Sequence, residues 1–386
     1  MAGNNQAVIQ QLQQVNQRAV AQGRIVGSVV LVAQHGKTIA ALACGEADRE
    51  RRRPMRRDAL FRLASVSKPF ITLAALRMVE QGKLTLDDAV SRWLPWFSPA
   101  LGNGERPVIL IRHLLTHTAG LDYRFKQPAD GPYHQRAVMD GLELSTLTLE
   151  QNLRRLADVP LAAEPGSRFS YSLSIDLLGA VLEQAAEMPL PQLFNHWVAQ
   201  PLGLEDSGFV ARDAGRLTGA YYNTDAGPAV MQDGLRVALP PEFGFDVEFA
   251  PSRALDAAAY PSAGAGMVGS ADDVLRLVET LRAGGNGLLQ PATVALLQRP
   301  HVSAAEEVQG PGWGFGFGGA LLTDAELAST PQHNGTLQWG GVYGHSWFCD
   351  PQAGLSVVAL TNTAFEGMCG AYPQEVRDAV YAGLAR

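Results

Sequence analysis

The chain has 386 residues, 46% of them apolar, with 38 acidic against 31 basic side chains and a formal net charge of −7. That length and apolar content support one large folded unit or two ordinary ones. Apart from the short Arg49 to Arg57 run, read as a solvated loop, no basic block occurs, so the footprint of a nucleic-acid binder is missing; nor is there a stretch of about 18 apolar residues to span a membrane.

The first residues, Met1 to Gln6, are polar and lead into a Gln-rich amphipathic pattern over about residues 5 to 22, a helix rather than an export signal. Ile25 to Ala33 is a β-branched run, and Thr38 to Cys44 follows it across His35-Gly36-Lys37, which predicts a hairpin. The period then changes. Over 66 to 81, Phe70, Leu73, Leu76, Met78 and Val79 recur at helical spacing, with Gly82 as the stop. Pro69 falls in the first turn of this helix, where a missing N–H costs nothing. Further helices are predicted over 173 to 187 and 271 to 283, separated by long loops at about 120 to 143 and 205 to 262. Loops of that length usually cover or shape a site. Strands return at Trp313 to Phe317, Leu337 to Val342, His345 to Cys349 and Leu355 to Asn362, before a helix over 373 to 385.

Strands at both ends with helices between them predict an α+β fold: one antiparallel sheet built from residues 1–62 and 297–386, carrying a mainly helical lobe of residues 63–296, with the active site between the two. Three cysteines, Cys44, Cys349 and Cys369, lack zinc-type spacing and fit a reducing, cytoplasmic setting.

Chemistry concentrates at Ser65-Val66-Ser67-Lys68. A serine hydroxyl needs a base to become a nucleophile, and a lysine one helical turn on can serve when it is held neutral. With 18 serines and four lysines, such a tetrapeptide arises by chance in roughly one chain in five of this composition, so context must carry it. Ser65 stands at a helix start, which leaves its backbone N–H free to stabilise an oxyanion. Two further features stand out. Tyr171, in Phe169-Ser170-Tyr171-Ser172, precedes an apolar helix; Trp339-Gly340-Gly341-Val342 puts two glycines in a strand, the mark of a bulge or of backbone approaching a ligand.

These elements, in this order, resemble the serine hydrolases related to class C β-lactamases and penicillin-binding DD-peptidases, and most closely the family VIII carboxylesterases. The resemblance extends through Gly82-Lys83-Leu84-Thr85-Leu86-Asp87-Asp88, His113-Leu114-Leu115-Thr116-His117-Thr118-Ala119-Gly120-Leu121, Glu164-Pro165-Gly166 and Gly344-His345-Ser346-Trp347. It implies a β-lactamase/transpeptidase-like fold, Ser65 as nucleophile, Lys68 as its base and Tyr171 as a proton relay. It also implies that the N–H groups of Ser65 and Val342 form the oxyanion hole. In this chain the family's Tyr-x-Asn reads Tyr171-Ser172-Leu173, and its lysine-threonine-glycine element is replaced by Trp339-Gly340-Gly341. Both departures remove polar groups that hold a β-lactam, so Trp339, Gly340, Gly341 and Leu173 are expected to line a pocket for an uncharged, compact ester, with His345 beside them.

No cofactor or metal is expected: His113 and His117 are four apart but lack the glutamate of a zinc-protease motif. The chain also contains no Gly-x-Ser-x-Gly, which excludes the α/β-hydrolase elbow. The reading is a serine carboxylesterase acting on a small-molecule ester. A β-lactamase or DD-peptidase, an acyltransferase using the same acyl-enzyme, and a non-catalytic penicillin-binding-like module are the alternatives. Oligomeric state is open.

Overall fold

The computed structural model describes residues 2–306 and 308–385. Its centre is an eight-stranded sheet in the order Trp313–Phe315, Ala320–Leu322, Leu337–Gly341, His345–Asp350, Leu355–Thr361, Gly27–Gln34, Lys37–Asp48 and Arg53–Pro54. Every neighbouring pair is antiparallel. The two chain ends meet at its middle, where Val29 pairs with Leu360 and Val32 with Val357.

Both faces of these central strands are covered, which is why they read as continuous apolar runs. On one face Val30, Val32, Phe348 and Val357 pack under two helices, Ala2–Ala21 and Tyr372–Leu384. The first helix contributes Val8, Leu12, Val15 and Ala19, and the last contributes Val376, Ala379 and Val380. Both sets lie on one helical stripe. On the other face Val29, Leu31, Trp347, Val358 and Leu360 join the main core. There the Ala271–Arg282 helix lies across the sheet, its N-terminus capped by Ser270 Oγ, which accepts from the Asp273 N–H at 3.4 Å.

The Ser67–Glu80 helix passes through the core, buried on nearly every side from Ser67 to Leu76. A helix that is apolar all round belongs inside a protein, and this one fixes the position of whatever sits at its start. Gly82 follows in the left-handed region with φ 67°. Around it pack the Ser174–Ala186 helix, the Leu190–Phe194 helix and the loops that follow His117.

The predicted helices and long strands appear within a few residues of their expected ends. Several short strands were not anticipated: Ala320–Leu322, and Leu60–Arg62 paired with Val268–Ser270. The stretch 205–262 is less of a loop than expected. It folds into two hairpins, Tyr221–Thr224 with Gly227–Val230 and Leu235–Ala238 with Asp246–Phe249. Four-residue strands carry too little alternation to register as a pattern.

Candidate active site

Ser65 lies on a single 3-10 turn, Ala64–Val66, that opens directly into the Ser67–Glu80 helix. Ala64 has φ 46°, a left-handed conformation that is costly for a residue with a side chain and marks a position held by its surroundings. Those surroundings include the Leu337–Gly341 strand. A methyl group on Gly341 would lie 2.5 Å from the Leu63 carbonyl oxygen and 3.3 Å from Val66 Cγ2, so only glycine lets the strand close on the turn. Val342, next along, packs in one apolar cluster with Ala64.

The three predicted chemical groups converge. Tyr171 Oη is 2.6 Å and Lys68 Nζ 3.1 Å from Ser65 Oγ, both within hydrogen-bond reach. The Lys68 side chain is 2% exposed. Its Nζ also donates to the Gly264 carbonyl at 2.8 Å and lies over the rings of Tyr171 (4.6 Å) and Tyr123 (5.4 Å). The indole N–H of Trp339 donates to Tyr171 Oη at 3.3 Å, and its ring packs 5.1 Å from that of Tyr171 and edge-on to Phe315. Gly340 holds its place in the strand, paired with Ser346.

Leu173 and His345 are not part of this open cluster. Leu173 is 0% exposed and belongs to the main core, at the start of the Ser174–Ala186 helix. His345 is 1% exposed, its Nε2 2.7 Å from the Arg62 carbonyl and its ring edge-on to Phe61. Burial pushes its imidazole pKa down to about 4, so it is neutral at ordinary pH and clasps the strand to the segment preceding Ser65.

His117 and His113 occupy structural posts. His117 has φ 52° and is buried with its ring 4.8 Å from that of Tyr171; its Nδ1 accepts the Ser172 N–H at 3.2 Å. Burial, then the charges of Lys68 and Lys126, hold its pKa well below the ordinary range. His113 Nδ1 accepts from the Leu110 N–H and caps a helix start. Among the described residues no group of three or more His, Cys, Asp or Glu side chains is placed to hold a metal ion.

Several neighbours were missed from sequence. Lys126 Nζ donates to Ser170 Oγ (2.9 Å) and the Tyr171 carbonyl (3.1 Å) and pairs with Asp122 at 2.9 Å, strapping the loop after Gly120 to the tyrosine. Tyr123 packs between Phe125, at 4.7 Å, and Tyr171, at 5.2 Å. Gly264 receives Lys68. The scarcity of lysine could have pointed to Lys126, and the small-residue run Ser262-Ala263-Gly264-Ala265-Gly266 to a close backbone approach.

Residues 6–380 match the protein family described as Beta-lactamase. The chain is 50% identical over 371 residues to Esterase EstB of Burkholderia gladioli, covering 96% of this chain and 94% of that protein. It is 26% identical over 385 residues to Monacolin J acid methylbutanoyltransferase of Aspergillus terreus, covering 89% and 88%. A solved structure described as EstCE1, a hydrolase with promiscuous acyltransferase activity, superimposes with a TM-score of 0.97 at 67% identity, over 98% of this chain and 99% of that one. The fold is thus β-lactamase/transpeptidase-like, matched across nearly the whole sequence, and the chain belongs to the β-lactamase family.

Proposed function

We propose that this protein is a serine carboxylesterase of the family VIII type, hydrolysing short-chain or compact carboxylic esters through an acyl-Ser65 intermediate. The observation that carries the reading is the position of Ser65 Oγ, 3.1 Å from Lys68 Nζ and 2.6 Å from Tyr171 Oη. The similarity to Esterase EstB and to the hydrolase EstCE1 supports the ester as substrate.

The cycle follows from that geometry. Ser65 Oγ attacks the ester carbonyl while its proton passes to Lys68, with Tyr171 completing the relay. The carbonyl oxygen becomes an oxyanion facing the N–H groups of Ser65 and Val342, each worth about 3 kcal/mol in the transition state. Collapse breaks the bond to the alcohol oxygen, which takes the proton as it leaves. Water then attacks the acyl carbon by the same route in reverse, and Ser65 is released. Trp339, Gly340 and Gly341 form the wall beside the acyl group, and Leu173 and His345 support it from behind. The substrate lies between the sheet, residues 1–62 and 297–386, and the helical lobe of residues 63–296, with the Ala271–Arg282 helix serving the sheet side. None of the three cysteines is paired, which suits a cytoplasmic setting.

The test is hydrolysis of p-nitrophenyl acetate, butyrate and decanoate beside nitrocefin, with Ser65→Ala as control. Ester turnover favouring the short chains and abolished in Ser65→Ala supports the reading. Full activity in Ser65→Ala sinks it, and faster turnover of nitrocefin than of every ester replaces it with a β-lactamase. Transfer of the acyl group to an alcohol is a second reading, favoured by the likeness to EstCE1 and to the Aspergillus terreus transferase, and it is read by adding an alcohol acceptor and measuring the new ester.

A further inference from the structure

The Ser174–Ala186 helix buries two polar side chains, Ser174 and one carboxylate, among apolar ones. Asp176 stands in its first turn, between Ile175 and Leu177, and is 1% exposed. A buried carboxylate needs either a full set of donors or a charge opposite it. Asp176 has few donors: Oδ2 accepts the Gly264 N–H at 3.2 Å, the Ser262 side chain hydrogen-bonds to the carboxylate, and Oδ1 is left without a partner among the described residues. What faces it is Lys68. A methyl group built on Gly264 would lie 2.6 Å from Asp176 Oδ2, 3.4 Å from Lys68 Nζ and 3.5 Å from Tyr123 Oη. Lys68 Nζ and the carboxylate therefore flank the space of one absent side chain, and Gly264 also accepts from Lys68 through its carbonyl.

We propose that Asp176 is a positioning residue for catalysis: the counter-charge that orients Lys68 and stabilises the ammonium formed when Ser65 gives up its proton, across a gap that Gly264 keeps open. This rests on the reading of Ser65 and Lys68 as nucleophile and base. In the step itself the Ser65 O–H bond breaks and an Nζ–H bond forms on Lys68, while Asp176 neither gains nor loses a proton. The new cation arises in a space closed to water, where a nearby anion counts for far more than at a surface. The Ser174–Ala186 helix start adds a partial positive charge that favours the ionised carboxylate there.

The other groups whose charge reaches Asp176 do not replace this role. Arg253 is held by the carbonyls of Glu143 and Tyr260, and Tyr123 and Tyr260 are buried phenols whose ionisation is strongly disfavoured. Burial raises the Asp176 carboxyl from its ordinary range, while the hydrogen bond from Ser262, then Lys68 and Arg253, pull it back.

Asp176→Asn keeps the shape and removes the charge. With Ser65 sites counted by fluorophosphonate labelling, p-nitrophenyl butyrate hydrolysis should show kcat reduced on the order of 100-fold with KM changed far less. The acidic limb of the kcat/KM profile should move to lower pH, because the Ser65, Lys68 and Tyr171 cluster protonates less readily without the anion. An unchanged kcat and an unmoved limb overturn the proposal. A second comparison needs no activity and is made at a pH below the acidic limb, where Lys68 carries its proton. Lys68→Met strands the carboxylate and should lower the melting temperature, and adding Asp176→Asn should restore part of it. If Asp176→Asn instead lowers the melting temperature equally with and without Lys68, the charge pair does not exist. Ser65→Ala separately tests the underlying reaction, so the two failures are distinguishable.

Discussion

The Trp339 indole N–H donates to Tyr171 Oη at 3.3 Å while that hydroxyl reaches Ser65 Oγ at 2.6 Å. The tryptophan that stands in place of the family's lysine is thus a direct neighbour of the hydroxyl proposed to relay the proton. Trp339→Phe keeps the aromatic packing and removes the donor. A neutral hydrogen bond of about 1 kcal/mol converts to a roughly fivefold loss in kcat/KM for p-nitrophenyl butyrate. Loss above about 100-fold would mean that the indole does more than hydrogen-bond.

Gly341→Ala should be damaging out of proportion to its size. The added methyl meets the Leu63 carbonyl at 2.5 Å and His345 Cδ2 at 3.2 Å, so the strand must back away from the turn bearing Ser65. Overpacking of this kind costs about 1–3 kcal/mol in stability. Displacing the strand proposed to carry the Val342 oxyanion donor should reduce kcat on the order of 100-fold. Kinetics together with a thermal melt check both halves, and a fully active, undiminished variant would refute the close approach.

His345 predicts acid sensitivity of a definite sign. Its folded pKa is about 4, whereas an unfolded chain's imidazole titrates near 6.5. Between those values the unfolded chain binds a proton that the native one does not, so this contribution is intact above about pH 6.5 and is lost as pH falls toward 4. His113, His117 and His301 are shifted the same way. Urea unfolding of wild type and His345→Gln isolates the one site: the gap between them should narrow by about 2–3 kcal/mol from pH 7 to pH 4.5.

Lys126→Met should uncouple the loop after Gly120 from Tyr171. Its three contacts are partly exposed, so the global stability change should stay below about 1 kcal/mol. Catalysis should suffer more, with kcat/KM down on the order of tenfold as Tyr171 loses its strap. Limited proteolysis within 120–143 should accelerate, and an unchanged cleavage rate would show that the strap is dispensable.

Ser65, Lys68, Tyr171 and Trp339 were readable from sequence because each sits in a short motif at the edge of a regular element. What surrounds them was harder to read. Asp176 left a trace, a lone acid between Ile175 and Leu177, but only the fold shows that it faces Lys68 across Gly264. Leu173 was expected beside the substrate from the resemblance, as the residue in place of the family's asparagine, and His345 from its nearness in sequence to the glycine strand. Neighbourhood along a helix or strand does not say which face points outward; both point inward. The hairpins within 205–262 escaped because their pairing is set by the turn and loop contacts, not by a hydrophobic period.

The meeting of the two chain ends in mid-sheet also sets an order of events. Gly27–Gln34 is made early, yet its partner Leu355–Thr361 comes close to last, and the strand Leu337–Gly341 reaches Gly27–Gln34 only through that late strand and its neighbour. During synthesis the early strand waits with one edge unpaired, an open invitation to wrong partners and a reason for slow folding. The same arrangement leaves Ser65 without the Leu337–Gly341 strand beside it until residue 341 has been made, so the proposed site is assembled late in synthesis.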